Sequence, residues 1–76
     1  MVNTNKIKAR IVELGINQQD VAKALGIAQP TLSQKINNIR PIDVNEALML
    51  ADFLKIQPTE YPAYFFMRQS YDTQLL

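Results

Sequence analysis

Residues 17 to 38 constrain this chain more than any other segment, because two short helical patterns meet there across a turn that forces one helix onto the other. Asn17 is an N-cap residue with Asp20 three positions on, which makes a capping-box start with an acid in the first turn. Ile16 and Val21 take the two positions of a hydrophobic staple, and Val21, Ala22 and Leu25 keep helical spacing until Gly26 breaks the run. The next pattern, Gln29 to Asn37, carries large apolar residues only at Leu32 and Ile36, four apart. One narrow stripe is therefore buried, and the rest of that helix is free for contacts outside the chain.

The remaining sequence predicts an all-α fold of five helices in one small domain, with no internal repeat and no low-complexity tract. The first helix spans Thr4 to Leu14, turns Ile7, Ile11 and Leu14 inward, and stops at Gly15, a natural left-handed residue. Asn38 suits the left-handed position that ends the 29–37 helix, and the loop of Ile39, Arg40, Pro41 and Ile42 follows. Asp43 and Glu46 make a second capping box, opening a helix from Val44 to Leu54 whose expected buried stripe is Val44, Ala47, Leu48, Ala51 and Leu54. Pro58, at a first-turn position before Thr59 and Glu60, opens a short fifth helix. Residues 1 to 64 read as the folded domain and residues 65 to 76 as a C-terminal tail without clear period.

Composition narrows the chemistry. Cysteine and histidine are both absent, which removes disulfides, thiolate nucleophiles, the usual zinc ligands and the commonest general base. The expectation is a binding protein rather than an enzyme, with no metal and no cofactor. Apolar runs such as Ala47 to Ala51 fall far short of the ~20 residues that span a bilayer, and the amino terminus lacks a signal-peptide core, so a soluble cytoplasmic protein is expected. The net charge of +1 hides a polarised chain: Lys6, Lys8, Arg10, Lys23, Lys35 and Arg40 against Glu13 and Asp20 give residues 1 to 40 a net +4, whereas residues 41 to 76 carry −3. Attraction to phosphate decays over ~8 Å at physiological salt, so a local basic face outweighs a small total.

The spacing of Ala22, Gly26, Ile27 and Leu32, with Gln18 leading one helix and Gln29 the next, resembles the helix-turn-helix of the lambdoid phage repressor and Cro proteins over about residues 4 to 56. The resemblance implies a lambda-repressor-like DNA-binding domain in which Ala22 sits where the helices cross, Gly26 makes the turn, and Ile27 and Leu32 seal the pair. The 29–37 helix would then enter the major groove of a double-stranded operator. At its tip, the Gln29 amide can both donate to and accept from an adenine edge. Ser33 and Gln34 lie away from Leu32 and Ile36 and reach neighbouring base edges, while Pro30 offers an apolar surface to a thymine methyl. Gln18 would hydrogen-bond a phosphate and brace Gln29, Lys35 flanks the same face, and Asn37, Asn38 and Arg40 follow the helix where related repressors touch the backbone. One departure stands out: several relatives join the first and third helices through a buried arginine and glutamate, and the matching positions here are Ile11 and Ile36, an apolar pair with no charge to desolvate.

The second half of the chain raises the question of partners. Met49 and Phe53 are expected opposite the buried stripe of the fourth helix, and Tyr61, Tyr64, Phe65 and Phe66 make the following segment apolar and aromatic. Three covers suit them: an intramolecular clasp over the fourth helix, a twofold homodimer interface that sets two recognition helices ~34 Å apart, or the surface of a partner repressor. Two classes of function follow. One is a Cro-type or repressor-type transcription regulator that binds an operator as a dimer. The other is a protein-interaction module, such as a phage modulator of repression or an antitoxin, acting on a partner repressor or toxin.

Overall fold

Local side-chain chemistry sets most of the helix starts. In the structure, a computed structural model that describes residues 1–65, the Asn3 side chain accepts the Lys6 N–H and starts α1, Thr4–Glu13. Asn17 and Asp20 cap one another reciprocally at the start of α2, Gln18–Leu25, and Asp43 and Glu46 do the same for α4, Val44–Phe53. Between them, α3, Gln29–Ile36, begins at Ala28 with no side-chain cap. A 3-10 turn, Pro58–Glu60, leads into the one-and-a-half-turn α5, Tyr61–Phe65. The described residues contain no strand.

The helix ends share a device that the sequence reading found only in part. A left-handed residue follows each of the four longer helices, Gly15 at φ +71°, Gly26 at +72°, Asn38 at +62° and Lys55 at +57°. After each stands an isoleucine whose N–H donates to the carbonyl five residues back: Ile16 to Ile11, Ile27 to Ala22, Ile39 to Gln34 and Ile56 to Ala51. This is the Schellman closure, which satisfies orphan carbonyls and normally seats the following apolar residue on the helix it ends. Ile16, Ile27 and Ile56 do pack in or against the core. Ile39 does not, and is 71 % exposed.

Packing then places α2 against both α3 and α4, and α1 against α5. The shared core includes Ile7, Ile11, Val21, Leu25, Leu32, Ile36, Leu50 and Leu54. Ile11 and Ile36 are both buried in it, as the apolar replacement of an ionic tie requires. The fourth helix corrects the sequence reading: Val44 and Leu48, expected inside, are exposed, and Leu50 is fully buried with Ala51 and Leu54. Apolar residues surround α4 on nearly every side, so either stripe satisfies helical spacing, and only docking on α2 chooses between them. Phe53 accordingly turns inward and packs against the core, while Met49 stays exposed.

Tyr64 and Phe65 are buried, with Tyr61 packed beside them, its ring 6.1 Å from that of Phe65. The aromatic segment is thus a clasp within the chain, but it closes on α1 rather than on the fourth helix. The Asn3 N–H donates to the Tyr64 carbonyl at 2.7 Å, and the Lys6 ammonium lies 4.9 Å from the centre of the Tyr64 ring. Phe65, assigned to the tail, is the last residue of α5, and Phe66 lies outside the described residues. Among the described residues, no helix is long and apolar enough to cross a membrane.

The register of α4 and the seal beneath α3 are open to a direct check. Ile36→Ala removes fully buried methyl groups and is expected to cost ~2–4 kcal/mol in urea unfolding, whereas Leu48→Ala on the exposed face should cost less than about 1 kcal/mol. Equal losses at the two positions would contradict this packing.

Candidate nucleic-acid interface

At 100° per residue, Gln29, Ser33, Asn37, Pro30 and Gln34 fall within one arc of about 140° on α3. The seal at Leu32 and Ile36, both 0 % exposed, lies beside the Gln29 edge of this arc and holds the helix against the core. Gln29, Pro30, Gln34 and Asn37 are exposed and Ser33 is half-buried; the Asn37 amide donates to the Ser33 carbonyl at 2.8 Å and lies 3.4 Å from its hydroxyl. With Ala28 unable to cap, the first amide donors of α3 also remain available beside Gln29. The structure therefore brings the four expected base-reading residues onto one open face. Gln18 leads α2, half-buried, and among the described residues no hydrogen bond joins it to Gln29. The bracing role expected for it is absent from this arrangement.

Two residues expected on phosphate are committed elsewhere. Lys35 lies on the α4 side of the helix, and its ammonium donates to both carboxylate oxygens of Glu46, at 2.6 and 2.5 Å, with only 13 % and 16 % of the two side chains exposed. This pair ties α3 to α4. Asn38 is turned toward the amino terminus: its Oδ1 accepts the Val2 N–H at 2.8 Å, and its Nδ2 donates to the Val2 carbonyl at 2.9 Å. The Thr4 hydroxyl donates to the Ile36 carbonyl at 2.7 Å, so Val2 and the start of α1 are both bound to the end of α3. The left-handed conformation of Asn38 was legible in the sequence. The use of its amide was not, because the partner lies 36 residues away.

The same accounting changes the basic half. Arg10, counted only as charge in the sequence, donates through Nε to the Leu54 carbonyl at 2.8 Å and through its Nη atoms to Lys55 O and Glu13, which fastens α1 to the end of α4. With Lys6 over Tyr64 and Lys35 on Glu46, three of the six bases serve the fold. Lys8, Lys23 and Arg40 are exposed and, among the described residues, in no ion pair.

The inter-helix tie and the arm each carry an expected outcome. The Lys35 hydrogen bond, the Asp43 N–H and a smaller attraction from Arg40 hold the Glu46 carboxyl below its ordinary range against an opposing desolvation. A carboxyl lowered in the folded state binds protons more weakly there than in the unfolded chain, so its contribution is full above the ordinary glutamate pKa. It is lost as pH falls through the lowered folded-state value. Thermal melts across acid pH should show this slope in the native chain and a flatter one in Glu46→Gln. Asn38→Gly keeps the left-handed backbone but leaves the Val2 N–H buried without a partner, and should cost about 1–3 kcal/mol in chemical denaturation. A neutral result would show that the arm is not held by this amide.

A scan against protein-family models matches residues 7–61 to one described as helix-turn-helix. Neither the curated proteins nor the solved structures give a match. The matched span runs from α1 through the 3-10 turn to the start of α5 and so contains the whole α2–α3 pair and its core. With more than half of its length matched and the α3 face open beside a sealed α2, this chain belongs to the helix-turn-helix family, as a regulator of the kind typified by the lambdoid phage repressor and Cro proteins.

Proposed function

We propose that the protein is a sequence-specific DNA-binding transcription regulator of the Cro or repressor type, which occupies its operator as a dimer and reads the major groove with α3. The observation that carries this reading is the division of α3 into a fully sealed side and an uncapped, polar, exposed arc. Gln29 is the principal base reader, since its amide both donates and accepts and stands at the helix tip. Pro30, Ser33 and Gln34 complete the readout, while Gln18, Asn37 and Arg40 position the protein on the backbone. Lys35 and Asn38 are left out of the contact set, because salt-bridging Glu46 and clamping Val2 already use their polar atoms.

The dimer is required by reach. An eight-residue helix spans about 12 Å, little more than three base pairs, and one such element selects too few bases to find an operator. With only Lys8, Lys23 and Arg40 free among the six bases of residues 1 to 40, binding should also depend only moderately on salt, with a slope near 0.9 for each phosphate neutralised.

The test begins with duplexes selected by the protein from a random-sequence pool. Gln29→Ala should lose ~1–3 kcal/mol on the selected duplex and almost nothing on random DNA, whereas Gln18→Ala should weaken both. Equal losses for Gln29→Ala on the two kinds of DNA would remove it from the base-reading role. Failure to select any duplex would overturn the proposed function.

A further inference from the structure

Val2 precedes α1, so its N–H and C=O have no helical partner, yet the residue is 2 % exposed and belongs to the core. Buried backbone groups of this kind need partners from elsewhere in the fold. One side chain, the Asn38 amide, takes both, at 2.8 and 2.9 Å. The next residue reaches a different element. The Asn3 N–H donates to the Tyr64 carbonyl at 2.7 Å, and its side-chain amide lies 3.4 Å from the Ala63 carbonyl, both in α5. Val2 and Asn3 are thus a two-residue strut, resting on α5 at one end and on the residue two past the last of α3 at the other.

We propose that Asn38 is a positioning residue for DNA binding, which through Val2 and Asn3 couples the aromatic clasp of α5 to the phosphate-contacting segment after α3. Asn37 and Arg40, which the proposed function sets on the DNA backbone, stand on either side of it in the chain. Arg40 is exposed and, among the described residues, in no ion pair, so its guanidinium is placed by the backbone beneath it rather than by a partner. That backbone is closed by the Ile39 and Arg40 N–H groups on the Gln34 carbonyl, at 2.8 and 3.2 Å. The Asn38 amide is not needed for the closure itself, since glycine adopts the left-handed conformation at φ +62° at least as readily. Its polar atoms are committed to Val2 instead. A segment already fixed in this way meets a phosphate without the loss of freedom that a loose one suffers. A disturbance at Tyr64 or Phe65 therefore reaches Arg40 through Asn3, Val2 and Asn38.

This inference rests on the proposed DNA binding and is tested so that the two fail separately. Two variants of the full chain disturb opposite ends of the connection: Asn38→Gly keeps the left-handed backbone and removes the amide, and the milder Phe65→Leu loosens the clasp without touching Asn38. Each is followed by hydrogen exchange at single amides of the free protein, and by binding to the selected and random duplexes over a range of salt, at a temperature where the chain is fully folded. In both variants the Ile39 and Arg40 amides should exchange at least about tenfold faster while those of α2 keep their native rates. Affinity should fall about five- to tenfold on selected and random DNA alike, and the salt slope should drop by about 0.9, the share of one phosphate. The double variant should bind no worse than the weaker single one, because the same connection is broken twice. Faster exchange throughout the domain, an unchanged salt slope and additive losses would show a merely structural amide and overturn the proposal. Folded variants with native affinity would overturn it too, and leave the DNA-binding reading intact. A chain that selects no duplex, yet answers Phe65→Leu with faster exchange confined to Ile39 and Arg40, would overturn the proposed function and uphold the coupling. One that selects no duplex and shows no such response would overturn both.

Discussion

The attachment of α3 by Leu32 and Ile36 is the constraint on which the rest depends. A polar eight-residue helix has little stability of its own, because nucleating a helix costs more than two turns of hydrogen bonds return in water. Two fully buried side chains on one stripe must therefore hold it in place, and everything else near α3 relieves them. The Lys35–Glu46 pair pins its α4 side, while Thr4 at the start of α1 bonds its last carbonyl and Val2 bonds Asn38 just past its end. The result is a helix fixed on its inner side and at its end, with Gln29, Pro30, Gln34 and Asn37 exposed along one arc.

The same economy governs charge. Half of the bases in the basic part of the chain fasten one element to another: Arg10 holds the end of α4, Lys35 holds its beginning, and Lys6 lies over Tyr64. A cation engaged with a carboxylate inside the domain has already traded its hydration for that partner and is a poor candidate for phosphate. The polarised charge of the sequence consequently overstates the basic surface offered to DNA. In the proposed reading, hydrogen-bonding amides at Gln18, Gln29 and Gln34 supply what the charges do not.

What was readable in advance followed range of interaction. Both capping boxes, the left-handed stops at Gly15, Gly26 and Asn38, and the seal of α3 were expected and are present, since each involves residues within one or two turns of one another. Lys55 was missed as a stop because its side chain gives no sign of left-handed geometry, which here is imposed by the Ile56 N–H closing on Ala51. The inner face of α4 was misread because Val44, Ala47, Leu48, Met49, Leu50, Ala51, Phe53 and Leu54 leave only a narrow polar edge, Asn45 and Asp52, to mark the outside. Its rotation was set by α2, a partner some twenty-five residues back in the chain.

Sequence alone therefore determined the all-helical architecture, the positions of the turns and the helix with a spare polar face, because those features rest on local periodicity and short-range caps. The tertiary structure decided which of two equivalent apolar stripes on α4 faced inward, that the terminal aromatics close on α1, and that Lys35 and Asn38 serve the fold. The physical reason is common to all three. An apolar stripe or a polar side chain carries no mark of its partner when that partner lies dozens of residues away, and only the assembled core, by excluding water from one side of each element, assigns it one.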